Sequence, residues 1–150
     1  MTRNKALFIG AIINFIISVG HLACLGCLQR MFLIYDIADE MNGFTESCGT
    51  NFPYIITVII ALGFIACGIY GLSACGKIRR LPLLKLGVFA IAAVFLFRAL
   101  WGISIMIDSF TIIELSSTLV SAVVGLLYLY GGVKNNNMKN NILHMNCHFI

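Results

Sequence analysis

The sequence predicts an all-α polytopic membrane protein, a four-transmembrane-helix bundle with a short amphipathic segment in its first outer loop. Of the 150 residues, 60% are hydrophobic and only 11% are charged, and the mean hydropathy is +0.97. Soluble domains hold roughly 45–50% apolar and about 25% charged residues. A chain of this length has too small an interior to bury so much apolar surface, so we expect lipid to be its solvent.

Four segments of the chain are long and apolar enough to span a bilayer, which takes about 20 mostly apolar residues. Backbone polar groups in hydrocarbon must pair within their own segment, so each segment is predicted to be a helix. Residues 1–133 form the transmembrane domain, and the Asn-rich residues 134–150 are predicted to be a disordered tail. The predicted spans are residues 6–28, 54–76, 86–107 and 115–133.

The positions of the charged residues predict which side each loop faces. Eight of the ten Lys and Arg residues lie before the first span, in the loop 77–85 or in the tail, whereas all six acidic residues lie at or near the opposite face. Loops rich in Lys and Arg stay in the cytoplasm. We therefore expect both termini to be cytoplasmic in a multi-pass protein of the cell membrane, the inner membrane of a bacterium. This topology accounts for the net charge of +4, and nucleic acid is not expected as a partner.

The long first outer loop, residues 29–53, contains a pattern typical of an amphipathic helix over residues 32–44. Its apolar side chains cluster on one side and its acidic side chains on the other, and Gly43 is predicted to end it. Such a helix lies in the membrane interface with its acidic face toward water. Alternatively, it closes over a site within the spans.

Polar or small side chains recur at helical spacing on three spans, which places each set on one face. The stripe on the second span is typical of a packing face, because small side chains let a neighbouring backbone approach closely. The sets are Gly10, Asn14, Ser18 and His21 on the first span; Gly63, Cys67, Gly71 and Cys75 on the second; and Glu114, Ser117, Thr118, Ser121, Gly125 and Tyr128 on the fourth.

Arg98 is the leading candidate for a functional residue, because a guanidinium within a span costs several kcal/mol unless it is paired. It lies nine residues before Ile107, at a depth of roughly 13 Å for a rise of 1.5 Å per residue. We predict an outward-facing polar pocket around Arg98 that attracts a small anionic, lipid or quinone ligand. The other candidate ligand-binding residues are Asn14, His21, Trp101, Asp108 and Glu114.

Alternatives remain open for the members of this predicted pocket. Arg98 is equally explained by a structural ion pair or by extension toward the headgroups. His21 also fits a hydrogen-bonded packing role. Thr111 and Glu114 have the spacing of a capping box at the start of the fourth span, and a capping carboxylate can still face Arg98.

Cysteines provide a second candidate site. Cys24 and Cys27 form a CxxC at the outer end of the first span, and Cys48 lies in the outer loop. This spacing can favour disulfide chemistry, and inert packing is the alternative. In helix number, orientation and CxxC the chain resembles the four-helix thiol-quinone oxidases. That resemblance implies quinone as the cofactor and a second outer cysteine pair, for which only Cys48 is available; otherwise no cofactor or metal is predicted.

A broader resemblance rests on the third span, together with a His in the first span and the long outer loop. Phe95, Phe97, Arg98, Ala99, Trp101 and Gly102 give this span a pattern similar to a group of small uncharacterised four-helix bacterial inner-membrane proteins. The resemblance implies membrane location and no particular activity. Three function classes follow: a non-enzymatic binding, transport or accessory protein with a site at Arg98; a thiol-disulfide oxidoreductase; or a structural subunit of a homo-oligomer or larger membrane complex.

Overall fold

A computed structural model of the protein describes residues 4–34, 37–108 and 110–147, with side chains except those of Glu40, Asp108 and residues 136–147. Within these ranges the chain is helical and contains no strand. A 3-10 turn, Leu25–Cys27, joins the first two α-helices. The helices are α1 Lys5–Cys24, α2 Leu28–Ile34, α3 Ala38–Cys48, α4 Phe52–Ala74, α5 Leu84–Asp108 and α6 Ile112–Cys147.

Four helical stretches are long and apolar enough to cross a membrane, which confirms the predicted fold class of an integral, multi-pass membrane protein. The first stretch ends six residues later than predicted, because α2 continues it to Ile34. Backbone pairing in α6 likewise continues to Cys147, through a segment for which the sequence predicts disorder and which contains neither Gly nor Pro to interrupt a helix. The four stretches are Lys5–Ile34, Phe52–Ala74, Leu84–Ile107 and Ile112–Asn135.

The single helix predicted over residues 32–44 falls in two helices of the structure, because residues 32–34 belong to α2 and α3 begins at Ala38. The prediction that a helix ends at Gly43 is wrong, because α3 passes through Gly43 and ends at Cys48. Gly49 follows with φ +96°, a conformation that favours glycine, and its N–H donates to the Thr45 carbonyl at 2.9 Å. The glycine that ends the helix is therefore the one whose backbone leaves the right-handed region.

Burial in this protein is inverted relative to a soluble domain. Asn14 is fully buried and Ser18 is 1% exposed, whereas Ile16 between them is 66% exposed. On α6, Thr118, Ser121 and Tyr128 of the predicted polar face are also buried. Polar side chains inside and large aliphatic side chains outside are expected where the solvent is hydrocarbon.

The chain divides into two compact units, Asn14–Ala66 and the larger Met1–Ile13 with Cys67–Ile150. In the larger unit, α5 and α6 pack against each other, and Tyr128 of α6 donates its hydroxyl to the Cys67 carbonyl at 2.7 Å. A Cβ at Gly71 would lie 2.5 Å from this hydroxyl and 2.9 Å from the Ala11 Cβ. The small-residue stripe of α4 therefore serves, at Gly71, as the packing face that the sequence predicts.

In the smaller unit, a polar bond and an aromatic contact connect residues that are distant in sequence. Ser18 donates its hydroxyl to the Ala61 carbonyl of α4 at 2.9 Å. Phe44 of α3 stacks on Phe52 at the start of α4, with ring centroids 5.5 Å apart. The apolar side of α3 is thereby held against the entry to α4.

Candidate functional site

Arg98 of α5 forms a two-bond ion pair with Glu114 in the first turn of α6. The Nη1–Oε1 distance is 2.8 Å and the Nη2–Oε2 distance is 3.2 Å. Parallel N–H···O bonds between a guanidinium and a carboxylate are strong and fix the relative orientation of the two groups. Two members of the predicted site are thus brought together, and the structural ion pair that the sequence left open is present.

Two hydroxyl groups of α6 complete this cluster. Ser117 accepts a bond from Arg98 Nη2 at 3.1 Å, and Thr118 donates to Glu114 Oε1 at 3.4 Å. The Arg98 side chain nevertheless remains 39% exposed, against 19% for Glu114. Its other N–H groups, including Nε–H, make no hydrogen bond within the described residues. The cluster therefore combines an oriented guanidinium with N–H groups that make no bond to the described residues and can donate to a further acceptor oxygen.

Gly102 provides the space that this arrangement requires. A Cβ at Gly102 would overlap Thr118 Oγ1 and would lie 2.9 Å from both Arg98 Nη1 and Glu114 Oε1. It stands four residues after Arg98, on the same face of α5. The absence of a side chain there lets the ion pair lie directly over the α5 backbone.

The start of α6 shows how Glu114 serves two helices. Thr111 precedes the first helical residue, and its hydroxyl accepts a bond from the Glu114 N–H at 3.2 Å. This is the threonine half of the predicted capping box. The Glu114 carboxylate meanwhile points to α5 and binds Arg98. The cap positions the backbone of Glu114, and the side chain joins the two helices.

Asn14 and His21 lie in the smaller unit, so the predicted pocket that would unite them with Arg98 stays a prediction. Asn14 is fully buried in α1. His21 is half-buried; its Nδ1–H donates to the Ile17 carbonyl at 2.9 Å, and its ring centroid lies 5.2 Å from that of Phe64. These contacts match the packing role that the sequence offered as the alternative for His21.

Trp101 and Asp108 complete the predicted ligand-binding set. Trp101 is 59% exposed, and its ring lies 6.3 Å from that of Phe97, which is also exposed. The Trp101 ring thus forms an aromatic surface on α5 with Phe97. The side chain of Asp108 lies outside the described residues.

The two cysteines of the CxxC lie at the junction of α1 and α2. Cys24 ends α1 and Cys27 ends the 3-10 turn, and both thiols are free. Cys24 directly precedes the 3-10 turn in right-handed helical conformation, and residues three apart on helical backbone share a face, so the two lie on the same side. Cys27 and Cys48 are exposed, and Cys24 is half-buried. Among the described residues, no three His, Cys, Asp or Glu side chains are grouped to hold a metal ion.

The predicted ligand-binding set did not include three residues of the Arg98 cluster: Gly102, Ser117 and Thr118. The two hydroxyl residues were visible as part of the polar face of the fourth span, one helical turn after Glu114. Gly102 carried the spacing signal of a small residue four positions after the arginine. The sequence alone does not give the register between α5 and α6, which decides that these residues meet Arg98.

Comparison of the chain with protein-family models, with curated proteins and with solved structures finds no match.

Proposed function

We propose that this integral membrane protein is a non-enzymatic binding, transport or accessory protein whose polar site is centred on Arg98. The observation that carries the proposal is that the Arg98 side chain stays 39% exposed although its guanidinium is held by two bonds to Glu114. A purely structural pair within a span offsets its desolvation cost only when its remaining donors are also bonded. Here N–H donors remain available, and Glu114 and Ser117 hold them in one orientation.

The chemistry of these donors defines the class of ligand. A guanidinium donates hydrogen bonds and accepts none, so the ligand supplies an acceptor oxygen: a phosphate, a carboxylate or a quinone carbonyl. Because Glu114 already balances the charge of Arg98, recognition rests on bond geometry more than on net attraction. The charge distribution further supports cytoplasmic termini and, for a bacterium, the inner membrane, with the Arg98 cluster in the outer half of the bilayer.

The test is native mass spectrometry of the protein in lipid nanodiscs, comparing wild type with Arg98→Leu/Glu114→Leu. The double variant removes the site without leaving an unpaired charge in the span. We expect a stoichiometric ligand on the wild type that is lost from this variant. The matched control is Arg30→Gln/Glu46→Gln, which removes one cation and one anion from exposed positions on α2 and α3 and should leave the ligand bound. Identical spectra for all three proteins would contradict the proposal.

A second candidate function rests on the placement of the CxxC across the 3-10 turn. We propose, as the alternative, that Cys24 and Cys27 act as a dithiol that is oxidised to a disulfide. The two thiols would release two protons and two electrons, which reduce a quinone to a quinol. The support is that both thiols are free, that they project to the same side and that Cys27 is exposed.

This alternative predicts that Cys24→Ser/Cys27→Ser abolishes quinone-dependent thiol oxidation by the purified protein, because serine cannot form a disulfide. The readout is quinol formation with a reduced model peptide as electron donor. Cys67→Ser, which changes a thiol of α4 outside the CxxC, is the control and should retain the rate. Equal rates in the Cys24/Cys27 double variant and wild type would eliminate the redox function without affecting the Arg98 proposal.

A further inference from the structure

The loop that joins α4 to α5 begins with a fixed turn. Gly76 follows α4 with φ +79°, in the conformation that favours glycine. The Gly76 N–H donates to the Ser73 carbonyl at 3.1 Å, and the Lys77 N–H donates to the Leu72 carbonyl at 3.0 Å. This pair of bonds is the Schellman arrangement, which satisfies the last carbonyls of a helix.

A buried serine holds the rest of this loop against the end of α4. Ser73 is 2% exposed; its hydroxyl donates to the Arg79 carbonyl and accepts from the Leu81 N–H, both at 3.0 Å. Leu83 then enters α5 with φ +53°, which a leucine adopts only where its surroundings enforce it. The backbone of the basic loop is therefore held in place against the end of α4.

A cleft of about 380 Å³ lies at this loop and the first turn of α5. Ligand sites in proteins occupy roughly 300–1,000 Å³. Two cations, Arg80 and Lys85, line the cleft, and neither forms an ion pair within the described residues. Its remaining lining is aliphatic: Leu81, Leu83, Leu84 and Leu86.

The cleft adjoins an apolar crevice in the same unit. Leu84 and Lys85 line both, and the crevice holds about 50 Å³. Leu83 and Leu86 are 74% and 65% exposed, so aliphatic surface continues outward from the two cations. Unpaired positive charge next to continuous apolar surface is complementary to an amphiphile with an anionic head.

We propose that this cleft binds one anionic phospholipid, with its phosphate at Arg80 and Lys85 and its acyl chains along the leucines. Charge complementarity favours an anionic head, because a phosphate can accept hydrogen bonds from both Arg80 and Lys85. The leucines favour a lipid over free phosphate, because acyl chains can bury the exposed leucine surface. The site is independent of the function proposed for Arg98, since Leu84 and Arg98 lie about 20 Å apart along α5 at 1.5 Å per residue.

The test measures lipid retained by the full-length protein after exchange into equal amounts of phosphatidylglycerol and phosphatidylcholine with identical chains. Native mass spectrometry at about 0.15 M salt suits the purpose, because a Debye length of about 8 Å screens cations that do not touch the head. We expect one phosphatidylglycerol to bind in preference to phosphatidylcholine. Arg80→Gln/Lys85→Gln should weaken the binding of this lipid about tenfold or more, because two charge-assisted hydrogen bonds are lost.

The matched control is Lys77→Gln/Arg79→Gln, which removes the same charge from the same loop at positions that do not line the cleft. It should weaken binding less than about threefold at this salt concentration. Circular dichroism and thermal unfolding verify that both variants keep the wild-type fold. Phosphatidylglycerol without acyl chains, glycerophosphoglycerol, should bind far more weakly than the lipid if the leucines contribute.

Three results would overturn the proposal. Equal weakening by the two double variants would mean that the loop attracts anionic lipid only through its overall charge. Equal retention of phosphatidylcholine by the wild type would mean that the head is not recognised. Equally tight binding of glycerophosphoglycerol would show an anion site without a lipid-binding role for the leucines. Arg98→Leu/Glu114→Leu is expected to retain the phospholipid, which separates this test from that of the Arg98 site.

Discussion

Glu114→Leu is expected to destabilise the protein by about 2–4 kcal/mol, because it leaves the Arg98 guanidinium in a span without its carboxylate. Removing one partner of a fully buried pair costs about 3–5 kcal/mol, and the exposure of Arg98 reduces that figure. Adding Arg98→Leu to Glu114→Leu should recover most of the loss, because two apolar side chains then face each other between α5 and α6. The measurement is the free energy of unfolding from titration of mixed detergent micelles with sodium dodecyl sulfate.

Glu46→Leu is the control for the loss of a carboxylate. Glu46 is exposed on α3, and we expect its removal to change the unfolding free energy by less than about 0.5 kcal/mol. The interaction energy between Arg98 and Glu114 follows from the double-mutant cycle. Additive losses in the double variant would show that the two side chains stabilise the protein separately and would contradict the ion pair. If Arg98→Leu/Glu114→Leu loses the ligand while its free energy of unfolding returns toward the wild-type value, we would infer that the ion pair serves ligand binding.

Gly102→Ala has the second large expected effect, a destabilisation of about 2 kcal/mol, within the 1–3 kcal/mol typical of overpacking. The added Cβ would overlap Thr118 Oγ1 and crowd both Arg98 and Glu114, so either α5 and α6 separate or the ion pair breaks. This loss outweighs the gain of up to about 1 kcal/mol that alanine brings to a helix. The same micelle titration measures the change.

Gly63→Ala provides the matched control in another span. No heavy atom outside the local backbone lies within 4 Å of where its Cβ would stand, so only the helix-propensity gain applies. We expect Gly63→Ala to be neutral or to stabilise the protein by up to about 1 kcal/mol. Equal effects of the two substitutions would mean that Gly102 is not needed for the contact between α5 and α6.

These two experiments bear on the proposed function as well as on stability. If Gly102→Ala breaks the ion pair without unfolding the bundle of the larger unit, Arg98 loses the orientation that Glu114 and Ser117 give it. A ligand that depends on bond geometry should then weaken even though Arg98 is still present. Retention of the ligand in a folded Gly102→Ala variant would indicate that charge alone recruits it.

Some features of the candidate site can be predicted from local sequence patterns, whereas others depend on contacts between helices. Arg98 was identifiable from the sequence because a cation among apolar residues is conspicuous in one dimension. The Thr111 cap was also identifiable, because it joins residues three positions apart. The sequence left the choice between a cap and an ion pair open for Glu114, and the structure contains the threonine cap together with the ion pair.

The sequence by itself determined the four spans, their helical conformation and the polar faces of the first and fourth. These properties depend on composition and periodicity within about 20 residues, and hydrocarbon leaves the backbone no alternative to a helix. Only the tertiary structure decided the partner of Arg98, the role of Gly102 and the fit of Tyr128 against Gly71. Those contacts depend on the register between helices, which is set by side-chain packing across the bundle and has no counterpart in the pattern of any single segment.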